Sequence, residues 1–173
     1  GDPMDTTTDM GPVSTQSHLA KIQKRVKDGI AKGAQLICGG QCTDRTGCFF
    51  PPTILEVNDQ DNPLIQEEVF GPVLCLSSFT DEQGAIDLAN GTDFSLAASV
   101  WTKDIDRALR ITRRLQSGIV WINSHNIPDL NMPIGGYGPS GWGHELGRQG
   151  LDEYLKTKSV MIHIANQTKA VRI

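Results

Sequence analysis

Three apolar runs separated by two helix-patterned segments limit most strongly how this chain can fold. "VLCLSSF" (73–79), "LAASVWT" (96–102) and "GIVWIN" (118–123) are strand-length and nearly continuous in apolar residues. Strands covered on both faces read this way. Between the first two runs, "TDEQ" (80–83) has the form of a capping box, with Thr80 capping and Gln83 reaching back. The helix it opens carries Ala85, Ile86, Leu88 and Ala89. Between the second and third runs, Asp104 caps a helix with Ile105, Ala108, Leu109, Thr112 and Leu115 inward and Gly118 as its stop. Strand–helix–strand–helix–strand is the sequence form of parallel crossovers. The expected fold is α/β, an open, twisted, mostly parallel sheet with flanking helices.

Upstream, residues 1–13 read as an extended lead-in rich in Asp, Thr, Gly and Pro. Ser14 or Thr15 then offers a cap. Leu19, Ile22, Val26 and Ile30 follow at spacings of three, four and four, one apolar stripe on a helix that Gly33 ends. "AQLICGG" reads as a short buried strand and "FFPPTILEV" as a proline pair followed by a strand. Downstream, a long Gly- and Pro-bearing loop covers 124–143. A turn of helix, "LDEYLK", precedes a last strand, "SVMIHI", and a polar tail.

A length of 173 residues suits one domain of ordinary size. The net charge of −4 and the lack of a long basic stripe argue against a nucleic-acid partner. The densest basic cluster, "RALRITRRLQ", reads as a solvated helix face. No run approaches the roughly 18 apolar residues of a membrane span, and no secretory signal opens the sequence. The chain begins "GDPMD", which implies processing before Gly1 or a piece of a longer protein. Cys38, Cys42, Cys48 and Cys75 do not form a disulfide framework in a chain of this size, so a reducing, cytoplasmic compartment is expected.

Several motifs have both a chemical and a plain structural reading. "CGGQCTDRTGC" places thiols among glycines, but its spacings of three and five intervening residues are not those of a paired zinc knuckle. A surface turn with Cys38 buried is the plainer account. "GYGPSG" (136–141) formally matches a dinucleotide loop. It lacks the strand before and helix after that such a loop needs, so close backbone packing is expected of its glycines. Cys75 with His125 or His163 is a nucleophilic pair on paper, yet Cys75 sits within an apolar strand as structural cysteines do. Glu145, in "GWGHELG", reads equally as a helix-dipole partner or as a functional carboxylate on an accessible turn. "QEEVFGPV" (66–73) sets two carboxylates against an apolar run, where burial is costly unless something binds them.

In register, "GDPMDTTTDMGPV", "QEEVFGPV", "WIN", "PIGGYGPSG" and "GHELG" resemble the C-terminal portion of the NAD(P)-dependent aldehyde dehydrogenase superfamily. The resemblance covers residues 1 to about 164. It implies that Glu68 binds the ribose hydroxyls on the nicotinamide side of NAD or NADP and that Phe70 packs near the nicotinamide. Glu67 then has a structural role, as an ion-pair partner or cap. Glu145 matches a glutamate assigned to a charge relay behind the general base. Backbone carbonyls at Gly138 and Gly141 match a potassium site. Residues 124–134, with His125, Ile127, Asp129 and Met132, match the wall of the aldehyde tunnel. Asp129 suits a cationic aldehyde, whereas Ile127, Leu130 and Met132 suit an apolar one. The chain departs from the family pattern at Gly138, where a long side chain usually stands, and at His144, usually arginine.

The reaction implied is oxidation of an aldehyde to a carboxylic acid. A thiolate adds to the carbonyl, hydride leaves for the nicotinamide, and activated water releases the acid. The family's nucleophilic cysteine and general-base glutamate lie upstream of the "GDP" opening, so this chain alone is expected to be inactive. The expected organisation is 1–155 as part of the catalytic domain, 156–164 as an oligomerisation strand pairing with a neighbouring subunit, and 165–173 as a polar tail. A dimer or tetramer is implied. Two other readings stand beside it: a non-catalytic fragment or assembly module of the same fold, and an unrelated thiol hydrolase.

Overall fold

The computed structural model describes residues 1–42 and 46–163. Its first regular element is helix α1 (Gln16–Ala31), capped by Thr15, whose hydroxyl accepts from the His18 amide at 3.1 Å. Leu19, Ile22 and Val26 of the apolar stripe are buried, but Ile30 is 40% exposed. Gly29 is buried instead, because helix α2 (Pro63–Gln66) crosses there. A Cβ on Gly29 would lie 2.2 Å from Leu64 Cδ1, so glycine is what permits the crossing. Gly33, at φ +96°, turns the chain out of α1.

Strands β1 (Gln35–Cys38), β2 (Thr53–Glu56) and β3 (Val73–Leu76) form one sheet in that order, β1 antiparallel and β3 parallel to β2. β2 alternates buried and half-buried residues, and its Leu55 joins Ile22, Val26, Phe50, Val57 and Leu64 in the core. The expected burial of β1 is not found: Leu36, Ile37 and Cys38 are exposed. β1 is an edge strand with a neighbour on one side only, so it gains little shelter from the sheet.

Helix α3 (Glu82–Ala89) leads to a second sheet, β4 (Ala97–Val100) parallel to β5 (Ile119–Ile122), with helix α4 (Ile105–Thr112) between the two strands. The expected α/β pattern with mainly parallel pairing is therefore present, distributed over two open sheets. Asp104 caps α4 by accepting from the Arg107 amide at 3.0 Å, as expected. α4 ends at Thr112, ahead of Gly118, and leaves Ile105 and Leu109 exposed. α3 is capped by Asp81 rather than Thr80, and Gln83 donates to Asp87 instead of reaching back. The helix starts one residue later than the box requires, and Asp is a better cap than Thr.

A 3₁₀ turn (Gly138–Ser140) and helix α5 (Gly147–Asp152) complete the regular structure, α5 beginning four residues before "LDEYLK". Residues 156–163 form no helix or strand within the chain, and Val160, Met161 and Ile162 are exposed. Ile164 of the expected oligomerisation strand, and the tail after it, lie outside the described residues.

α3 and α4 are joined by a two-pronged ion pair. Arg110 Nε and Nη2 donate to the two Glu82 oxygens at 2.8 and 2.7 Å. The hydrogen bond from Arg110 holds the Glu82 carboxyl below its usual range, and the charges of Arg110, Arg107 and Arg114 act the same way. A carboxyl lowered by folding adds stability above its unfolded value and loses it as pH falls through the folded value. Glu82→Gln is thus expected to lower the urea midpoint at pH 7, by a small amount because the pair is exposed, and to cost less near pH 3.5. Equal midpoints for variant and parent at pH 7 would show that the pair does not contribute to folding.

Candidate functional site: the turn after α2 and its two clefts

The segment that carries Glu67, Glu68 and Phe70 leaves α2, and α2 is fixed to α1 by Asn62. That side chain is fully buried. Its Nδ2 donates to the carbonyls of Gly29 (3.0 Å) and Lys32 (3.3 Å), while its Oδ1 accepts from the Leu64 amide (3.0 Å). One residue therefore serves the end of α1 and the start of α2.

The turn then grips α1 at three points. Glu67 pairs with Arg25. Gly71 lies so close to α1 that a Cβ would meet Ile22 Cδ1 at 2.6 Å. Between them, the Phe70 carbonyl lies 2.6 Å from His18 Nε2. Phe70 is left-handed, at φ +47°, a conformation that costs a non-glycine residue about 1–3 kcal/mol and persists only when its surroundings enforce it.

Glu68 is the exception in this turn. Its carboxylate is exposed and makes no hydrogen bond or ion pair among the described residues. The concern about buried carboxylates is resolved: both glutamates reach solvent, Glu67 paired and Glu68 unpaired. Glu68 and Phe70 line two clefts at once. One, of about 540 Å³, extends to Cys75, Phe94, Leu96 and Ser140. The other, of about 640 Å³, runs along α1 past Ser14, His18, Lys21 and Arg25. An unpaired carboxylate beside a 74% exposed aromatic ring can accept from vicinal hydroxyls while the ring covers an apolar face.

The glycine loop closes the first cleft. Ser95 holds it twice, its amide donating to Ser140 Oγ (2.8 Å) and its hydroxyl to the Tyr137 carbonyl (2.9 Å). A Cβ on Gly118 would fall 1.6 Å from the Gly135 carbonyl oxygen, so the chain packs closely just ahead of the motif. Within "GYGPSG" the expected close packing holds at Gly136, where a Cβ would lie 2.6 Å from Ser140 Cβ, but not at Gly141, where nothing lies within 4 Å, nor at Gly138, whose one neighbour is the Asp93 carbonyl oxygen at 3.7 Å. Gly138 and Gly141 are both at positive φ, and the Gly138 carbonyl accepts from the Gly141 amide at 3.2 Å.

Glu145 is in a bridge outside α5 rather than in its first turn. Its backbone exchanges two 2.8 Å hydrogen bonds with Ile134. Its side chain lines a hollow with Gly135, Gly141, His144 and Glu153, which meets the first cleft at Leu96 and Ser140. The residues expected to line a tunnel, His125, Ile127, Asp129 and Met132, border neither cleft. His125 Nδ1 is 2.8 Å from Ser99 Oγ, and its ring meets Trp121 edge-on at 5.4 Å. Trp121 Nε1 donates to the Ile127 carbonyl at 3.0 Å. The Asp129 carboxylate accepts from the backbone and side chain of Asn131, so its charge serves its own turn. Ile127 and Met132 remain exposed.

Cys38, Cys42 and Cys48 are not brought together, and no group of three His, Cys, Asp or Glu among the described residues has metal-binding geometry. The Cys75 thiol points at the Leu64 carbonyl, 3.7 Å away, and burial pushes its pKa up, which opposes a nucleophilic role. Of the residues along the second cleft, the sequence offers Ser14 only as a candidate cap and does not single out His18, Lys21 or Arg25 of α1. Ser14, His18, Lys21 and Arg25 repeat at spacings of four, three and four, a polar stripe beside the apolar one, and that period was the available signal.

Residues 1–160 match the aldehyde dehydrogenase family. The chain belongs to that family. It is 42% identical over 164 residues to the cytosolic 10-formyltetrahydrofolate dehydrogenase of Xenopus laevis, covering 94% of this chain and 18% of that protein. Among solved structures, an NAD-dependent aldehyde dehydrogenase from Sinorhizobium meliloti matches with a TM-score of 0.90 at 38% identity, over 99% of this chain and 34% of that one. The betaine aldehyde dehydrogenase of Staphylococcus aureus in complex with NAD+ matches with a TM-score of 0.85 at 40% identity, over 95% and 34%. This aldehyde dehydrogenase chain thus spans about a third or less of its relatives' length. Among the described residues no helix is long and apolar enough to cross a membrane.

Alkylation kinetics test the reading of the cysteines. At neutral pH, iodoacetamide is expected to label exposed Cys38 well before Cys75, read by peptide mass mapping. Faster labelling of Cys75 would revive the thiol-nucleophile alternative.

Proposed function

We propose that this chain is the C-terminal part of an NAD-dependent aldehyde dehydrogenase that oxidises an aldehyde to a carboxylic acid, and that it supplies the clamp for the nicotinamide end of the dinucleotide. The observation that carries this reading is the unpaired Glu68 carboxylate, held beside the exposed Phe70 ring on a turn fixed three times to α1. Bound there, the dinucleotide supplies a hydride acceptor. Glu68 accepts from its ribose hydroxyls, and Phe70 shields one side of the nicotinamide from water. NAD is favoured over NADP by the solved relatives named for NAD. Glu145, one hollow away, fits a supporting proton-relay role more readily than a structural one, because its carboxylate is exposed and makes no hydrogen bond or ion pair among the described residues.

Exposed apolar surface supports the view that more of the fold surrounds these residues. Leu74, Leu76, Leu96, Phe79 and Trp101 on and beside the two sheets are each at least 44% exposed. Surfaces of this kind are buried when a domain is complete. The missing nucleophile and base then belong to the rest of the enzyme.

In the complete enzyme, Glu68→Gln keeps the shape and weakens the charge-assisted hydrogen bonds, which contribute about 1.5–3 kcal/mol. Hydride transfer measured in a pre-steady-state burst is expected to slow about 10- to 100-fold. The 173-residue chain by itself is expected to produce no NADH with any aldehyde. An unaltered burst rate in the variant, or turnover by the isolated chain that depends on one of its cysteines, would overturn the assignment.

The segment 156–163 suits a strand that finds its ladder in another subunit, since Val160, Met161 and Ile162 stand 71–97% exposed and no strand among the described residues pairs with it. Self-association driven by this segment is expected to persist in moderate salt. A dilution series by sedimentation that shows a monomer at tens of micromolar, with no dependence on salt, would rule the assembly role out.

A further inference from the structure

We propose that His18 is a positioning residue for the nicotinamide clamp, acting through the backbone of Phe70. The proposal rests on the reading of Glu68 and Phe70 as that clamp. His18 lies in the first turn of α1 and spans to residue 70, where its Nε2 is 2.6 Å from the Phe70 carbonyl. A carbonyl only accepts, so Nε2 carries the proton. In the neutral ring Nδ1 is then an acceptor, and the Ser14 hydroxyl stands 3.1 Å from it, ready to donate. The two contacts are matched: one hydroxyl sets the tautomer, and the other ring nitrogen donates to the turn.

The backbone explains why this matters. Phe70 is the left-handed residue of the turn, and its carbonyl is the group that points back to α1. Glu67 and Gly71 fix the ends of the turn through Arg25 and Ile22, but neither contact defines the conformation of the peptide between them. His18 does. Its ring also lies against the Phe70 ring, with centroids 5.8 Å apart and planes inclined by 35°. Without the hydrogen bond, Phe70 can relax to the commoner right-handed or extended regions, which carries its ring and the neighbouring Glu68 carboxylate off the two clefts. A weaker hold on the turn then weakens the grip on the cofactor and leaves the aldehyde end of the reaction untouched.

Two polar substitutions that differ in reach test this in the complete enzyme. Gln places an amide N–H near the position of Nε2; Asn carries the same amide but falls short by one methylene. His18→Asn is expected to raise the KM for NAD and to slow hydride transfer by about three- to tenfold, the range of one lost hydrogen bond, with the aldehyde KM unchanged. His18→Gln is expected to restore both to within about twofold of the parent. Glu68→Gln is measured alongside. If it leaves cofactor use unaltered, the clamp reading falls and His18 with it. If Glu68→Gln impairs cofactor use while His18→Asn matches the parent, or while Gln is as poor as Asn, the positioning role alone is refuted.

Discussion

The placement of the whole candidate site depends on one buried amide. Asn62 has no exposed surface and uses both ends of its side chain, donating to the last carbonyls of α1 and accepting from the first amide of α2. Buried donors and acceptors are costly when unpaired, so this side chain leaves the two helices one relative position. Gly29 opposite Leu64 allows the approach, and Asn62 fixes its register. Everything downstream inherits that register: Arg25 meets Glu67, Ile22 meets Gly71 and His18 meets Phe70.

The same economy explains which groups are left free. In a five-residue turn, Glu67–Gly71, one carboxylate is paired and its neighbour is not. The contacts to α1 come from Glu67, from the Phe70 carbonyl and from Gly71, and they hold the turn without using the Glu68 carboxylate or covering the Phe70 ring. Elsewhere the chain shows a related pattern. Among the described residues, non-glycine residues at positive φ occur at Phe70, at Asn123 just after β5, at Asn126 in the segment that resembles the tunnel wall, and at Leu146 beside Glu145. Three of the four segments that resemble family functional motifs thus contain non-glycine backbone held in a sparsely populated conformation, as functional sites tend to.

The surface is the other constraint. Two open sheets, an exposed edge strand and an exposed apolar segment at 160–162 leave much apolar area facing solvent. Local rules produced every helix and strand, yet the layers that cover both faces of a parallel sheet are not all supplied by this chain. This fits a chain that spans about a third of the solved relatives it matches.

The sequence by itself determined the α/β class, the order of the elements other than helix α2, which it did not mark, the cap at Asp104, the pair Ser14 or Thr15 from which the first cap is drawn, and the segments worth inspecting. These follow from hydrophobic period and local hydrogen bonding, which are properties of neighbouring residues. It also marked Glu68, Phe70 and Glu145, because their motifs are short and contiguous. It misjudged the burial of Leu36, Ile37 and Ile30, since burial depends on which elements lie across from a residue and not on its own pattern. The Thr80 cap failed by a single residue, within the play that two adjacent capping side chains allow. Only the tertiary structure decided that Glu68 is unpaired, that Asp129 is spent on its own turn, and that His18 reaches the Phe70 carbonyl. The His18 contact joins residues 52 positions apart, and a local pattern carries no information about which side chains such a closure brings together; the Asp129 contact is local, but which of the available groups the carboxylate takes is set by the conformation of its turn.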